Sequence, residues 1–362
     1  MYDKIPASDV GAKIVEWYSC ILLSSYEEAT LLKNEVTQML GRMEKSDKML
    51  AYFSLVEYRH NNMLDGENKS VPLSDQFKYI ETDVDRYLKY LYYFVSGQFE
   101  YNNQRYRTAI RSFRKAERLL EHVDDETETL EFYMYTGVAY YRINQYLFAA
   151  SYLEEAETGF RRIDFIRKAL NCKQILASIS SELKEYDRAE KMLKETLAES
   201  TYPITTVTIL RALGLCMFAQ KKYEPAANYF KKALEIKECR ESIFGMRCET
   251  ELSHCLFKLG NHDEALISFR KAKAAATQHY NELEFKIRCQ YLEGLFIEND
   301  LTKVEQAINE LSKAELYFEM CELSEELIEI FEENGDNENV IKYLKYAYQG
   351  KLNQTTLGDG QK

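Results

Sequence analysis

Few residues of this sequence have the type and spacing of reactive groups. The stretch MEKSDKMLAYFSL (43–55) sets a charged knot, Glu44 to Lys48, before an apolar helical run, so Asp47 stands at the mouth of a helix. A carboxylate there can serve as a general base. It can equally complement the positive end of the helix dipole, with Ser46 as the cap. The eight cysteines are Cys20, Cys172, Cys216, Cys239, Cys248, Cys255, Cys289 and Cys321, and none forms a C-x-x-C pair. Most sit in apolar helical patterns, as reduced core thiols do. Cys248 and Cys255, seven apart around His254, come nearest to a metal-ligand spacing. That is one weak coincidence of spacing, and neither metal nor other cofactor is expected.

The elements that must position these groups are helices. The chain has 362 residues, 46% hydrophobic and 29% charged, with 4 Pro and 14 Gly. Few breakers and abundant Leu, Ala, Glu, Lys and Tyr point to an all-α protein. The net charge of −12 argues against direct binding to nucleic acid or to an anionic membrane, both of which need basic surface. It suits a basic protein partner or plain solubility. The start, MYDKIPASDVGAKIVEWY, has no charged segment followed by an apolar one, so no signal peptide is read. No uncharged apolar run reaches the roughly 20 residues of a membrane span, and a cytoplasmic location is expected.

An internal repeat organises the C-terminal two-thirds. YRTAIRSFRKA (106–116), YLFAASYLEEA (146–156), YDRAEKMLKET (186–196), YEPAANYFKKA (223–233) and HDEALISFRKA (262–272) share one pattern. Its alanines are Ala109, Ala149, Ala189, Ala226 and Ala265, spaced by 40, 40, 37 and 39. Twelve residues earlier stands another small residue: Gly97, Gly137, Ala177, Gly214 or Ser253. Antiparallel helices approach closely only where small residues face each other. Phe113, Leu153, Leu193, Phe230 and Phe269 are expected to fill the space between neighbouring pairs. Units of this kind cannot bury their apolar faces alone, so they stack. About seven such repeats are expected over 90–350, the segments 283–318 and 321–350 being degenerate, with a polar tail at 351–362.

Stacking gives a right-handed solenoid whose concave wall is lined by the first helix of each pair. The lining is expected to include Tyr141, Asn171, Gln174, Ser178, Glu182, Arg211, Leu215, Phe218, His254 and Lys258. Polar groups for backbone amides and pockets for side chains suit a short extended peptide. Residues 1–65 show no repeat and read as a three-helix bundle. The turn-rich DGENKSVPLSD (65–75) marks its end, and a linker helix from about Asp75 to Gln98 leads into the first repeat. A DNA-binding helix-turn-helix is disfavoured: residues 1–70 hold 11 acidic and 8 basic residues, a net −3.

Ile5 to Tyr18 (IPASDVGAKIVEWY), Leu32 to Val36 (LKNEV) and Met43 to Leu64, ahead of tetratricopeptide-like repeats, resemble the Rap proteins of Bacillus over essentially the whole chain. The resemblance implies a bundle, a linker helix and a repeat domain. It implies a cytoplasmic regulator, monomer or homodimer, with one of two actions on its target. Some members dephosphorylate the aspartyl phosphate of a response regulator, using that regulator's own divalent metal. Others sequester a response regulator or transcriptional regulator without catalysis. A short Phr-type peptide in the groove switches the protein off by rearranging bundle and linker against the solenoid. A general repeat scaffold is the further alternative.

The phosphatase members carry a glutamine that orients the attacking water, and the gapless match puts Asp47 there. An ionised carboxylate has no donor and repels the aspartyl phosphate, so the reading leans toward binding. Gln38 is the other candidate in the bundle. Met49, Leu50, Tyr58 and exposed rings at Tyr93 and Phe94 are the expected target contacts. In the groove, Glu182 stands where the family has an Asp, and Ala212 where it has a peptide-clamping Asn.

Overall fold

A computed structural model describes residues 4–65, 85–240, 242–278 and 282–355. Three helices come first: α1 (Ala7–Leu22), α2 (Tyr26–Leu40) and α3 (Asp47–Asp65). Val10, Ile14, Trp17 and Ile21 recur at helical spacing along α1 and are buried with Ala29 and Val36 of α2 and Leu55 and Val56 of α3. The segment before α1 is tied down: Ile5 N–H donates to Arg42 O at 2.9 Å and Glu44 N–H to Ile5 O at 2.9 Å.

Seven helix pairs follow among the described residues. They are α4 (Arg86–Asn102) with α5 (Tyr106–Glu117), α6 (Glu126–Tyr141) with α7 (Tyr146–Arg162), α8 (Ile166–Glu182) with α9 (Tyr186–Glu199), and α10 (Pro203–Ala219) with α11 (Tyr223–Glu235). After the short α12 (Lys237–Arg240) come α13 (Ile243–Lys258) with α14 (His262–Ala276), α15 (Leu283–Leu292) with α16 (Leu301–Lys313), and α17 (Tyr317–Glu333) with α18 (Asn337–Thr355). A π turn, Glu293–Glu298, ends α15.

The repeat register explains the pairing, with one correction. A Cβ at Gly97 would stand 2.3 Å from the Phe113 ring, and one at Gly214 2.5 Å from the Phe230 ring. These rings therefore fill the crossing inside their own pair, and the Phe113 ring also meets Phe132 of the next pair at 6.3 Å. The tight turns repeat as well. Asn144, Lys184, Lys221, Gly260 and Gly335 take positive φ, and the 6→1 bonds that close such helix ends run from Gln145 N to Tyr140 O and from Asn261 N to Leu256 O.

Packing divides the molecule into two compact units. One gathers α1–α5 and the start of α6 up to Phe132, apart from Asn103–Arg107; the other gathers the rest. The first repeat pair thus clusters with the bundle. The boundary expected at 65–75 and the start of the linker helix at Asp75 lie outside the described residues; α4 is described from Arg86, with Asp85 Oδ1 accepting from Tyr87 N at 3.1 Å. Residues 351–355, expected in the tail, instead continue α18. Gln354 Nε2 donates to Tyr317 O at 2.9 Å and holds that last turn down; residues 356–362 of the expected tail lie outside the described residues. Among the described residues no helix is long and apolar enough to cross a membrane.

Candidate functional site

In the repeat unit the first helices of successive pairs present a polar wall. Asn171 Oδ1 accepts from Thr205 Oγ1 at 3.1 Å, tying α8 to α10, and Gln174 Nε2 donates to Ser178 Oγ at 3.1 Å. Arg211 forms a two-pronged ion pair with Glu251, one prong at 3.0 Å. Phe218 and His254 rings meet at 4.8 Å, and His254 is flanked by Tyr291 and Phe296. Leu215 is half-buried beside them.

Charge is concentrated where α15 and α17 join this wall. Arg142, just past the end of α6, donates to Glu284 and Glu319 at 2.7 Å each. Arg288 pairs with Glu284 at 3.1 Å and with Glu322 at 2.5 Å. Glu326 accepts from His254 Nε2 at 2.9 Å, Lys258 Nζ at 3.0 Å and Tyr291 Oη at 2.8 Å. Burial would raise its pKa, but His254 and Lys258 outweigh burial and hold it at about 2. Glu284 and Glu319 share Arg142 and diverge. Burial opposes ionisation of both, yet Arg142, Arg288 and Arg247 together pull Glu284 down, while the nearby Glu284 charge helps to push Glu319 up.

Glu182 lies at the end of α8. Enclosure among the repeat helices raises its pKa to about 8, helped by the like charges of Glu322 and Glu319. Its side chain remains open to water and makes no ion pair with the described residues. Tyr141 and Tyr146, whose rings lie 6.2 Å apart, both feel its charge. A small cavity of about 10 Å³ lies deeper, lined by Thr250, Glu251, His254, Arg288 and Tyr291. Ala212 is buried and offers no polar group.

The wall therefore gathers residues from the list read in the sequence, but His254 and Lys258 are already engaged by Glu326, and Arg211 by Glu251. Glu251, Glu284, Arg288, Tyr291, Glu319, Glu322 and Glu326 were missed. Glu319, Glu322, Glu326 and Glu329 recur at steps of 3, 4 and 3 on α17, a one-face carboxylate stripe visible in EMCELSEELIEIFEE. Cys248, Cys255 and His254 do not converge: the free Cys248 thiol shares a hydrogen bond with Cys239, while His254 turns to Glu326.

In the bundle, Asp47 is the first residue of α3 and exposed. Ser46 Oγ accepts from Met49 N at 3.4 Å, a long capping contact, and Asp47 itself makes no side-chain bond with the described residues. Gln38 is exposed on the last turn of α2. Leu50 is 47% exposed, and Met49 is half-buried with its sulfur against Gly11. Two expected target contacts are corrected. Phe94 is wholly buried among Tyr90, Phe113 and Phe132, and Tyr58 is buried against Phe99. Tyr93 is half-buried, with Lys115 over its ring at 5.3 Å. The bundle's exposed apolar side chains are instead Val15, Leu23, Tyr26, Leu31 and Leu50.

This architecture has known counterparts. The family model for response regulator aspartate phosphatase H, N terminal, matches residues 4–65, and a tetratricopeptide-repeat model matches residues 167–238. Response regulator aspartate phosphatase I of Bacillus subtilis is 30% identical over 362 residues, spanning 96% of this chain and 92% of that protein. The chain belongs to the Rap family. A solved Rap protein complexed with competence and sporulation factor shares the fold with a TM-score of 0.89, at 24% identity, covering 98% of this chain and 100% of that one. This Rap-family chain is also 38% identical over 365 residues to a protein named type II methyltransferase M.CeqI from Rhodococcus hoagii, spanning 99% of this chain and 70% of that protein.

Proposed function

We propose that this chain is a peptide-controlled regulator. Its bundle binds a response regulator or another transcriptional regulator and blocks its output, and a short signalling peptide in the repeat wall releases the block. The observation that supports this most is the pairing of a Rap-type bundle with a wall that offers Asn171, Gln174 and Ser178 to a peptide backbone and the exposed carboxyl of Glu182 to a hydrogen-bonding group. The acidic chain complements the basic face of a DNA-binding domain, and action on such a target is cytoplasmic.

The test is capture of the host's response regulators by the full chain, with and without candidate penta- and hexapeptides. Specific capture that a peptide reverses is the expected result. Capture that no peptide alters leaves only a repeat scaffold.

A second reading, aspartyl-phosphate phosphatase, rests on the family match, with Asp47 exposed at the position where phosphatase members carry a glutamine. Its measure is phosphate release from a phosphorylated response regulator at substoichiometric protein. We expect sequestration without release. Asp47→Gln restores the amide that both donates to and accepts from water, and it is expected to raise release above wild type. Turnover by the wild type would make the chain an enzyme.

A further inference from the structure

The bundle unit buries more charge than its fold requires. Arg59 of α3 is 6% exposed; its guanidinium donates to Glu131 of α6 and to the Tyr18 hydroxyl of α1, and lies 5.2 Å from the Phe94 ring centre. Glu128, one turn earlier on α6 and 1% exposed, accepts from Tyr18 Oη at 2.7 Å and from Tyr87 Oη of α4 at 2.9 Å. Four helices thus meet on one charged cluster. Apolar side chains of similar volume would hold such a joint at least as firmly. What ionic groups add is a joint that fits in one arrangement and fails when a partner is lost.

Helix α6 makes the cluster consequential. Its start, with Glu128 and Glu131, packs in the bundle unit, and its remainder from Tyr133 packs with the repeats. It ends at Tyr141, and Arg142 follows to hold Glu284 and Glu319.

We propose that Arg59, Glu131, Glu128, Tyr18 and Tyr87 form a pH-sensitive latch that fastens the three-helix bundle to the start of α6. Tyr90, fully buried beside it, has a hydroxyl with no hydrogen-bond partner among the described residues, a spare donor for Glu128 in a second arrangement.

Every side of Glu128 faces a titratable or charged group: Tyr18 from α1, Arg59 and Tyr52 from α3, Tyr87 and Tyr90 from α4, and Glu131 and Asp125 from its own segment. Burial pushes its carboxyl up to about 7, against the pull of Arg59 and the two phenols. A raised carboxyl favours the protonated, latched state. That contribution is complete below 4.5, the ordinary value, and is lost as pH rises through 7.

The experiment is hydrogen exchange on the full chain, read as protection factors for α1–α3 and for α8–α14, and it needs neither target nor peptide. In wild type, protection of α1–α3 falls by roughly tenfold or more between about pH 5 and pH 8 while α8–α14 holds. Arg59→Met lowers protection of α1–α3 alone, by roughly tenfold or more. Glu128→Gln keeps acceptor oxygen for the phenols but cannot ionise, so the pH dependence disappears. Equal loss in α8–α14, no loss with Arg59→Met, or an unchanged pH dependence in Glu128→Gln would each overturn the latch.

Discussion

Glu326→Gln tests how the repeat wall is held. Glu326 of α17 is the point where α13 and α15 also converge, through His254, Lys258 and Tyr291 at 2.8–3.0 Å. Glutamine keeps the shape and one acceptor oxygen but removes the charge. Two independent routes set the magnitude. Breaking a buried ion pair from one side costs about 3–5 kcal/mol. Separately, the carboxyl is held at about 2 rather than 4.5, and at about 1.4 kcal/mol per pH unit that is roughly 3 kcal/mol. The side chain is 12% exposed, so screening takes little away. The variant should therefore lose about 3 kcal/mol in urea unfolding at about pH 7, followed by helix circular dichroism. A depressed carboxyl stabilises above its ordinary value, and the effect is lost as pH falls toward 2. The gap between wild type and variant should be constant from about pH 8 to pH 5 and close below 4.5. A gap under about 1 kcal/mol at neutral pH, or one that is undiminished near pH 2, would refute the reasoning.

Three further outcomes are expected. Gly214→Val drives a side chain into Phe230 and should cost about 1–3 kcal/mol in thermal unfolding; pairing it with Phe230→Ala should cost less than the sum of the two single changes, because the ring it strikes is gone. Arg142→Leu leaves Glu284 and Glu319 without the cation they share, so its loss of stability should be larger at about pH 8 than at pH 5, measured as melting temperature at both. Leu31→Glu, at a side chain 69% exposed, should change stability by no more than about 0.5 kcal/mol yet weaken capture of a response regulator if the bundle is the docking face.

The repeats were legible because their register is steric. Small residues at Gly97 and Gly214 admit the Phe113 and Phe230 rings, each sixteen residues on, so the two crossings repeat in register. The wall residues of α8, α10 and α13 followed from that register. The acidic half did not, because α15 and α17 lack the Gly/Ala marker from which the count was made; only the carboxylate stripe of α17 pointed to it. Ion pairs such as Arg142 with Glu319, 177 residues apart, have no sequence trace at all. Phe94 and Tyr58 misled for the opposite reason. Aromatic rings are equally at home in a core and on a contact surface, and which one they occupy is decided by neighbours from distant helices.

Helix α6 also bears on how such a protein can be divided or recombined. The chain passes between the two compact units at 102/103, 107/108 and 132/133, and the last passage falls inside a continuous helix rather than in a loop. A repeat array exchanged with that of a relative at this point brings its own half of α6 or severs one. Grafting the wall therefore means grafting Glu128 and Glu131 with it, and a donor whose α6 lacks these acids would be inherited by a bundle whose Arg59 finds no partner. Compatibility between halves from different relatives should be decided by those few buried side chains, not by the identity of the repeats as a whole.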